Sequence, residues 1–296
     1  MTIETIDLTH HLPREAKPAW LKVQLPHGDE YERVRAKVRD LQLNTVCREA
    51  MCPNVAECWG AGTATIMILG DTCTRGCRFC AVKTGNPRGE VDWLEPIRVA
   101  RAVKDLHWQY LVLTAVDRDD LPDGGALVFA NTVRAIHEQV PGSKVECLTG
   151  DFRGDLAALN IVLDASPDVL AHNLETVLRL TPRVRDKRAT YNQTLRILEH
   201  AKNRGIGCYT KTSLMLGLGE TEEEVAETMD DARSVGVDIF TMGQYLQPSK
   251  KHLPVHEFLS PEAFARLRAV GNSKGFRQVV SSPLSRSSYH AEQAFQ

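Results

Sequence analysis

Eight cysteines occur in this 296-residue chain, and six of them fall in two groups. The more compact group is Gly70-Asp-Thr-Cys73-Thr-Arg-Gly-Cys77-Arg-Phe79-Cys80, with spacing Cys-x3-Cys-x2-Cys. Three thiolates on one tight loop can wrap a corner of an iron–sulfur cluster, whereas a cubane [4Fe–4S] normally takes four protein ligands. A loop that supplies three leaves one iron open. The spacing therefore predicts a reactive cluster rather than a relay for electrons. A structural zinc knuckle is the competing use of such thiols, but zinc is usually gripped by two Cys or Cys/His couples. No matching second couple follows here.

The other group, Cys47-Arg-Glu-Ala-Met-Cys52-Pro-Asn-Val-Ala-Glu-Cys58-Trp, is spaced Cys-x4-Cys-x5-Cys and again stops at three ligands. Two separate clusters require less contortion of the chain than one six-cysteine site. A zinc site built from some of these thiols is the alternative. Cys147 lies inside an apolar run and Cys208 at the head of another, and both read as core thiols, a common place for free cysteine.

The elements that must carry these loops follow from the hydrophobic pattern. Near-continuous apolar runs at 64–69, 110–116, 144–149, 168–172, 209–216 and 237–242 predict parallel strands covered on both faces. Between them lie stripes of helical period: Val99/Val103/Leu106 behind Pro96, Phe129/Val133/Ile136/Val140, Leu156/Leu159/Leu163, Tyr191/Leu195/Leu198 and Val225/Met229/Ala232. Six strand–helix units without a linker predict an α/β fold, a partial (β/α)6 TIM-like barrel, with function gathered where the strands end. Residues 1–62 form an N-terminal extension, 63–260 the barrel, and 261–296 a last helix (about Pro261 to Lys274) and a tail. The extension is broken by Pro13, Pro18 and Pro26. Trp20 is expected to anchor it, and a helix capped by Asp29 with Glu32 should bury Tyr31, Val34, Val38 and Leu41. The Ser-rich tail from Gln278 to Ala291 reads by itself as a flexible terminus.

A formal charge of −2 offers no global field for nucleic acid or anionic membrane, and no apolar run reaches transmembrane length. The acidic start, Met1-Thr-Ile-Glu-Thr-Ile-Asp, lacks the pattern of a signal or transit peptide, so a cytoplasmic protein with reduced thiols is expected.

The loop after the first strand resembles the cluster loop of the radical S-adenosylmethionine enzymes, whose open iron chelates the methionine end of that cofactor. Beyond it, the chain resembles the lipoyl synthases nearly end to end. The likeness rests on Lys17-Pro-Ala-Trp-Leu-Lys22, both cysteine triads, Val116-Asp117-Arg118-Asp-Asp-Leu-Pro-Asp-Gly-Gly125, and Arg286-Ser-Ser288-Tyr-His-Ala291. The resemblance implies two [4Fe–4S] clusters. One is held by Cys73, Cys77 and Cys80, and an auxiliary one by Cys47, Cys52, Cys58 and Ser288. It also implies S-adenosylmethionine contacts from Phe79, Thr114, Asp117, Arg118, Asn173, Glu175, Arg188 and Gly217. As bare residues, Asn173 and Glu175 read equally well as a helix cap, Gly217 and Gly219 as a turn, and Arg183 to Arg188 as a solvated run that could hold a carboxylate or meet an acidic protein. The implied activity is insertion of sulfur at C6 and C8 of an octanoyl group on a lysine of a lipoyl carrier domain, such as H protein or an E2 subunit of a 2-oxoacid dehydrogenase. The resemblance implies that the sulfur is taken from the auxiliary cluster. An electron donor such as ferredoxin or flavodoxin and an iron–sulfur carrier protein are the implied partners. Gly76, Gly150 and Ala115 depart from the residues expected at those positions, and none of them removes a cluster ligand.

Overall fold

The computed structural model describes residues 17–23, 28–61, 63–289 and 291; the expectations for Pro13, Pro26, the first residues and His290 lie outside these. Helix α1 (Asp29–Asp40) leads through β1 (Asn44–Thr45) and two short helices, α2 (Val46–Glu49) and α3 (Val55–Gly60), into β2 (Thr65–Ile68). Strands β3 (Thr72–Cys73) and β4 (Lys83–Thr84) bracket the compact cysteine loop. The series then runs α4 (Glu95–Asp105), β5 (Tyr110–Ala115), α5 (Ala126–Gln139), β6 (Lys144–Leu148), α6 (Leu156–Leu163), β7 (Val169–Ala171) and α7 (Thr181–Val184). It closes with α8 (Tyr191–Asn203), β8 (Tyr209–Leu216), α9 (Glu222–Ser234), β9 (Ile239–Gln244), α10 (Pro261–Ser273) and β10 (Gln278–Ser281).

One sheet has the order β1-β2-β5-β6-β7-β8-β9-β10, parallel throughout except for the β1–β2 pair. Alternation along each strand sorts the side chains. Ile66 and Ile68 of β2, Leu111 and Leu113 of β5, and Phe240 and Met242 of β9 are buried in the hydrophobic core. Their alternates Thr65, Met67, Val112, Thr114, Thr241 and Gly243 border a shared internal cavity. Side chains from both halves of the sheet can meet around one volume only if the sheet curls, so the parallel strands form a partial barrel. The anticipated helical stripes are buried: Val99, Val103, Phe129, Val133, Ile136, Leu159, Leu198, Val225 and Met229 are all at most 1 % exposed. Local chemistry fixes the helix starts. Asp155, Thr190 and Ser260 cap α6, α8 and α10, and Thr221 with Glu224 forms a capping box on α9.

Three expectations are corrected. Asp29 does not cap α1; it is the first helical residue, and Gly28, at φ 102°, occupies the cap position without a side-chain bond. In the arm, Leu21 is buried and Trp20 is 42 % exposed, so the leucine is the anchor. The start of the tail is a strand, not a flexible terminus: β10 pairs with β9 in parallel, and Ser281 donates to the carbonyl of Phe264 at 2.8 Å. Val279 of β10 fits against Gly271 of α10, where a Cβ would stand 3.0 Å from the valine methyls. That strand depends on pairing with β9, which lies on the far side of α10 in the chain, and the serine content of the tail obscured it.

Candidate active site

The compact cysteine loop is fixed by backbone bonds to three other segments. Thr74 N donates to Asp117 O (2.9 Å), Arg78 N to Val184 O (2.9 Å) and Gly85 N to Cys73 O (2.9 Å). Two of its sulfurs also accept backbone N–H groups: Cys73 from Arg75 N (3.4 Å) and Cys77 from Asp186 N (3.3 Å). Such donors favour a thiolate, the form that binds iron. Without a metal, burial pushes the thiols up, Cys77 to about 12 and Cys80 to about 11. Among the described residues no three His, Cys, Asp or Glu side chains close on a single ion. Cys47, Cys52, Cys58, Cys73, Cys77 and Cys80 all border one cavity of about 590 Å³.

Behind the loop lies an ion-pair cluster. The Arg75 side chain, 2 % exposed, donates to both carboxylate oxygens of Asp119 (2.9 and 2.8 Å) and of Asp151 (2.8 and 2.6 Å). Paired forks of this kind are among the stronger and more directional contacts in proteins. Burial alone would raise Asp151, but its bonds to Arg75 override that and hold the carboxyl at about 2. Asp117 is 3.7 Å from Arg75, outside hydrogen-bonding range, and the exposed quarter of its side chain faces the cavity. Burial, with Asp151 and Asp119 nearby and only partly offset by Arg75, pushes Asp117 up to about 6. Arg75 and Asp151 were not anticipated. Nothing in a lone arginine between two cysteines signals burial, while Asp151 could have been found from its place just past the end of β6.

The other anticipated residues separate into two sets. Phe79, Thr114, Asn173, Glu175 and Ser288 border the cavity beside Asp117. Asn173 and Glu175 cap no helix. Asn173 Nδ2 donates to Glu175 Oε1 (3.1 Å), Glu175 bridges to Leu214 of β8, and burial raises its carboxyl. Arg118, Arg188 and Gly217 lie outside the cavity lining. Arg118 is buried against the Leu69 and Glu90 carbonyls and pairs with Asp120 at 2.8 Å, so it shapes the loop after β5. Arg188 binds Asp186, Asp119 and the carbonyl of Thr74. Gly217 (φ 94°) is packed so closely against Gln244 and the Glu257 carbonyl that no Cβ fits. From the basic run it is Arg185, not Arg188, that reaches the cavity, bonding Thr194 Oγ1 (2.8 Å) and Leu174 O (3.3 Å). His172 is locked between Thr149 O (2.8 Å) and Thr194 Oγ1 (3.2 Å), and burial holds it down at about 4, the neutral imidazole.

Three buried polar atoms of cavity-lining residues have no hydrogen-bond partner: Thr149 Oγ1, Asn173 Oδ1 and Arg185 Nε. Orphans of this kind are costly unless a ligand meets them. A donor, an acceptor and a hydroxyl beside the carboxyl of Asp117 fit a polar zwitterionic ligand such as an amino acid carrying a ribose.

The second triad reaches the same cavity from the extension, with Cys47 on α2, Cys58 on α3 and Cys52 between them. The tail crosses the end of β9 to meet it. Gln244 N donates to Pro283 O (3.1 Å), and Gly243 lies so close to the Ser285 carbonyl that only glycine fits there. Asn54 Nδ2 donates to Leu284 O (2.7 Å), and Tyr289 OH to Glu57 Oε1 (2.7 Å). Arg286, Ser287 and Ser288 thereby join the cysteines at the cavity wall.

Residues 67–232 match the family model of the radical SAM superfamily. The fold is also that of a solved methylornithine synthase, with TM-score 0.54 at 16 % identity over 90 % of this chain and 84 % of that one. A barrel of this kind, carrying a three-cysteine loop at its first strand, defines a radical S-adenosylmethionine enzyme. Residues 5–52 match the N-terminal domain of lipoyl synthase. The chain is 60 % identical to the lipoyl synthase of Thermus thermophilus, over 94 % of this chain and 86 % of that protein. It is 55 % identical to that of Myxococcus xanthus, over 94 % and 93 %. The chain belongs to the lipoyl synthase family, and its cofactors are S-adenosylmethionine and [4Fe–4S] clusters.

Proposed function

We propose that the chain inserts two sulfur atoms, first at C6 and then at C8, into an octanoyl group carried on a lysine of a lipoyl carrier domain. The observation that carries this reading is the meeting of both cysteine triads and Ser288 on one cavity. When bound, the cofactors supply a carbon radical able to take hydrogen from an unactivated carbon, together with sulfide for the new C–S bonds.

The protein's share is to hold and orient. Cys73, Cys77 and Cys80 would hold the cluster that meets S-adenosylmethionine. Cys47, Cys52, Cys58 and Ser288 would hold the auxiliary one. Serine is a harder ligand than a thiolate and would hold the cluster iron less firmly, which fits a cluster that must be dismantled. Asp117 would accept the ammonium of S-adenosylmethionine, Asn173 and Glu175 would meet its ribose, Arg185 its carboxylate, and Thr114 and Phe79 would pack along it. Met67, Val112, Leu148 and Met215 give the cavity an apolar wall for the alkyl chain. No acid or base is needed at the carbons attacked, since hydrogen would leave as an atom and not as a proton, and these walls would only seat the chain and exclude water.

In this reading residues 1–62 and 261–296 supply the auxiliary site and 63–260 the radical chemistry. The chain works in the cytoplasm with an octanoylated H protein or E2 subunit, a ferredoxin- or flavodoxin-type donor and an iron–sulfur carrier protein. Among the described residues no helix is long and apolar enough to cross a membrane.

The test is anaerobic. After reconstitution with iron and sulfide, S-adenosylmethionine, dithionite and an octanoyl-lysine peptide should yield peptide masses gained by one sulfur and then two, alongside 5′-deoxyadenosine. Deoxyadenosine released with no sulfur gained would reject the substrate assigned here.

A further inference from the structure

Each cleavage of S-adenosylmethionine consumes an electron from outside the chain, and the fold leaves a short way in. Gly76, adjacent to the ligand Cys77, is exposed. Around it stand Arg78, Arg183 and Lys187, all exposed. The segments are fastened together: Arg78 N donates to Val184 O (2.9 Å), Arg78 Nη1 to Arg183 O (3.4 Å), and Gly76 N to Asp186 Oδ2 (3.0 Å).

The acids of this face are already engaged. Asp186 pairs with Arg188 (2.8 Å), which holds its carboxyl well below the usual range, and Asp119 is shared by Arg75 and Arg188. Among the described residues Arg78, Arg183 and Lys187 form no ion pair with a carboxylate. The chain as a whole is slightly acidic, at −2, so this patch of free cations is a local arrangement. None of Gly76, Arg78, Arg183 and Lys187 borders the cavity, so this face is set apart from the wall that would seat an acyl chain.

We propose that the Gly76 face, with Arg183 and Lys187 as its recognition charges, docks an acidic protein bearing a one-electron centre near its surface. The inference rests on the radical S-adenosylmethionine reading of the Cys73/Cys77/Cys80 loop. With a flavin donor the hydroquinone gives up one electron and becomes the semiquinone, and the cluster gains that electron. Complementary charge speeds such encounters and makes them sensitive to salt.

The probe is flavodoxin, an acidic flavoprotein, used with the reconstituted full chain. Its oxidised form is titrated onto the wild type and onto Arg183→Glu/Lys187→Glu at low and moderate salt. Deoxyadenosine formation is then compared with reduced flavodoxin and with dithionite, which is small enough to need no docking. The double variant should bind flavodoxin about tenfold more weakly, at the low end of what electrostatic steering delivers. Its flavodoxin-driven rate should fall while its dithionite-driven rate stays at the wild-type level, and Arg183→Lys/Lys187→Arg should match the wild type in both. Unchanged binding, or wild-type binding indifferent to salt, would overturn the proposal. So would loss of the dithionite-driven rate, which would assign these residues to the loop itself. A wild type that cleaves nothing with dithionite would instead reject the underlying reading, leaving the binding comparison intact.

Discussion

At position 150 the backbone approaches the cavity so closely that a Cβ would collide with Oδ1 of Asp117. The glycine that departs from the expected residue there is thus matched to the carboxylate it faces. Gly150→Ala should displace Asp117 and weaken S-adenosylmethionine binding about tenfold, the lower end of what a hydrogen bond to a charged group contributes. Because φ at 150 is not positive, the apo chain should keep its melting temperature. Equilibrium binding and thermal unfolding measured side by side check both halves. The acidity of Asp117 adds a second expectation. With burial holding it at about 6, the ionised form that attracts an ammonium is lost as pH falls through 6. Affinity should drop there in the wild type and stay flat in Asp117→Asn.

Two contacts between elements decide how firmly the cysteine loop is held. Arg75 ties it to the ends of β5 and β6 through Asp119 and Asp151. Arg75→Met would leave buried carboxylates facing one another, so a loss of about 3–5 kcal/mol is expected, the usual cost of halving a buried pair. Denaturant unfolding of the apo chain measures it, and a loss below about 1 kcal/mol would contradict this account. Glu95, at the start of α4, accepts the N–H of Leu69 at 2.7 Å, and burial pushes its carboxyl up to about 7. A folded value above the unfolded one means the native state binds the proton more tightly. The stability this contributes is complete below about pH 4.5 and is lost as pH rises through 7. Glu95→Gln can still accept from Leu69, so it should melt progressively higher than the wild type from pH 5.5 to 8.

At the scale of the molecule, the extension and the tail are two ends of one structure. They meet across the end of the barrel through Asn54 and Leu284, and through Tyr289 and Glu57. Asn54 is 4 % exposed. Asn54→Ala leaves the Leu284 carbonyl without this donor, a cost of about 1–3 kcal/mol concentrated on the tail. Hydrogen exchange should rise across 282–289 while β5 and β6 stay protected. Iron in the reconstituted variant should become more accessible to chelators. Uniform exchange across the sheet would contradict a tail that docks as a separate unit.

The local chemistry was legible in the chain itself. Spacing announced both cysteine triads, apolar period announced the strands and helices, and resemblance supplied Ser288. These signals are short-range, carried by residues within a turn or a strand of one another. What only the tertiary structure decided is long-range. It placed the two triads on one cavity, buried Arg75 between Asp119 and Asp151, and moved Arg118 and Arg188 out of the cavity into loop-holding roles. It also chose Arg185 over its neighbours in the basic run and turned the head of a serine-rich tail into an edge strand. A side chain's type states what it can bond, but which partner it meets depends on how the sheet curls, and the curl is set by packing summed over the whole chain.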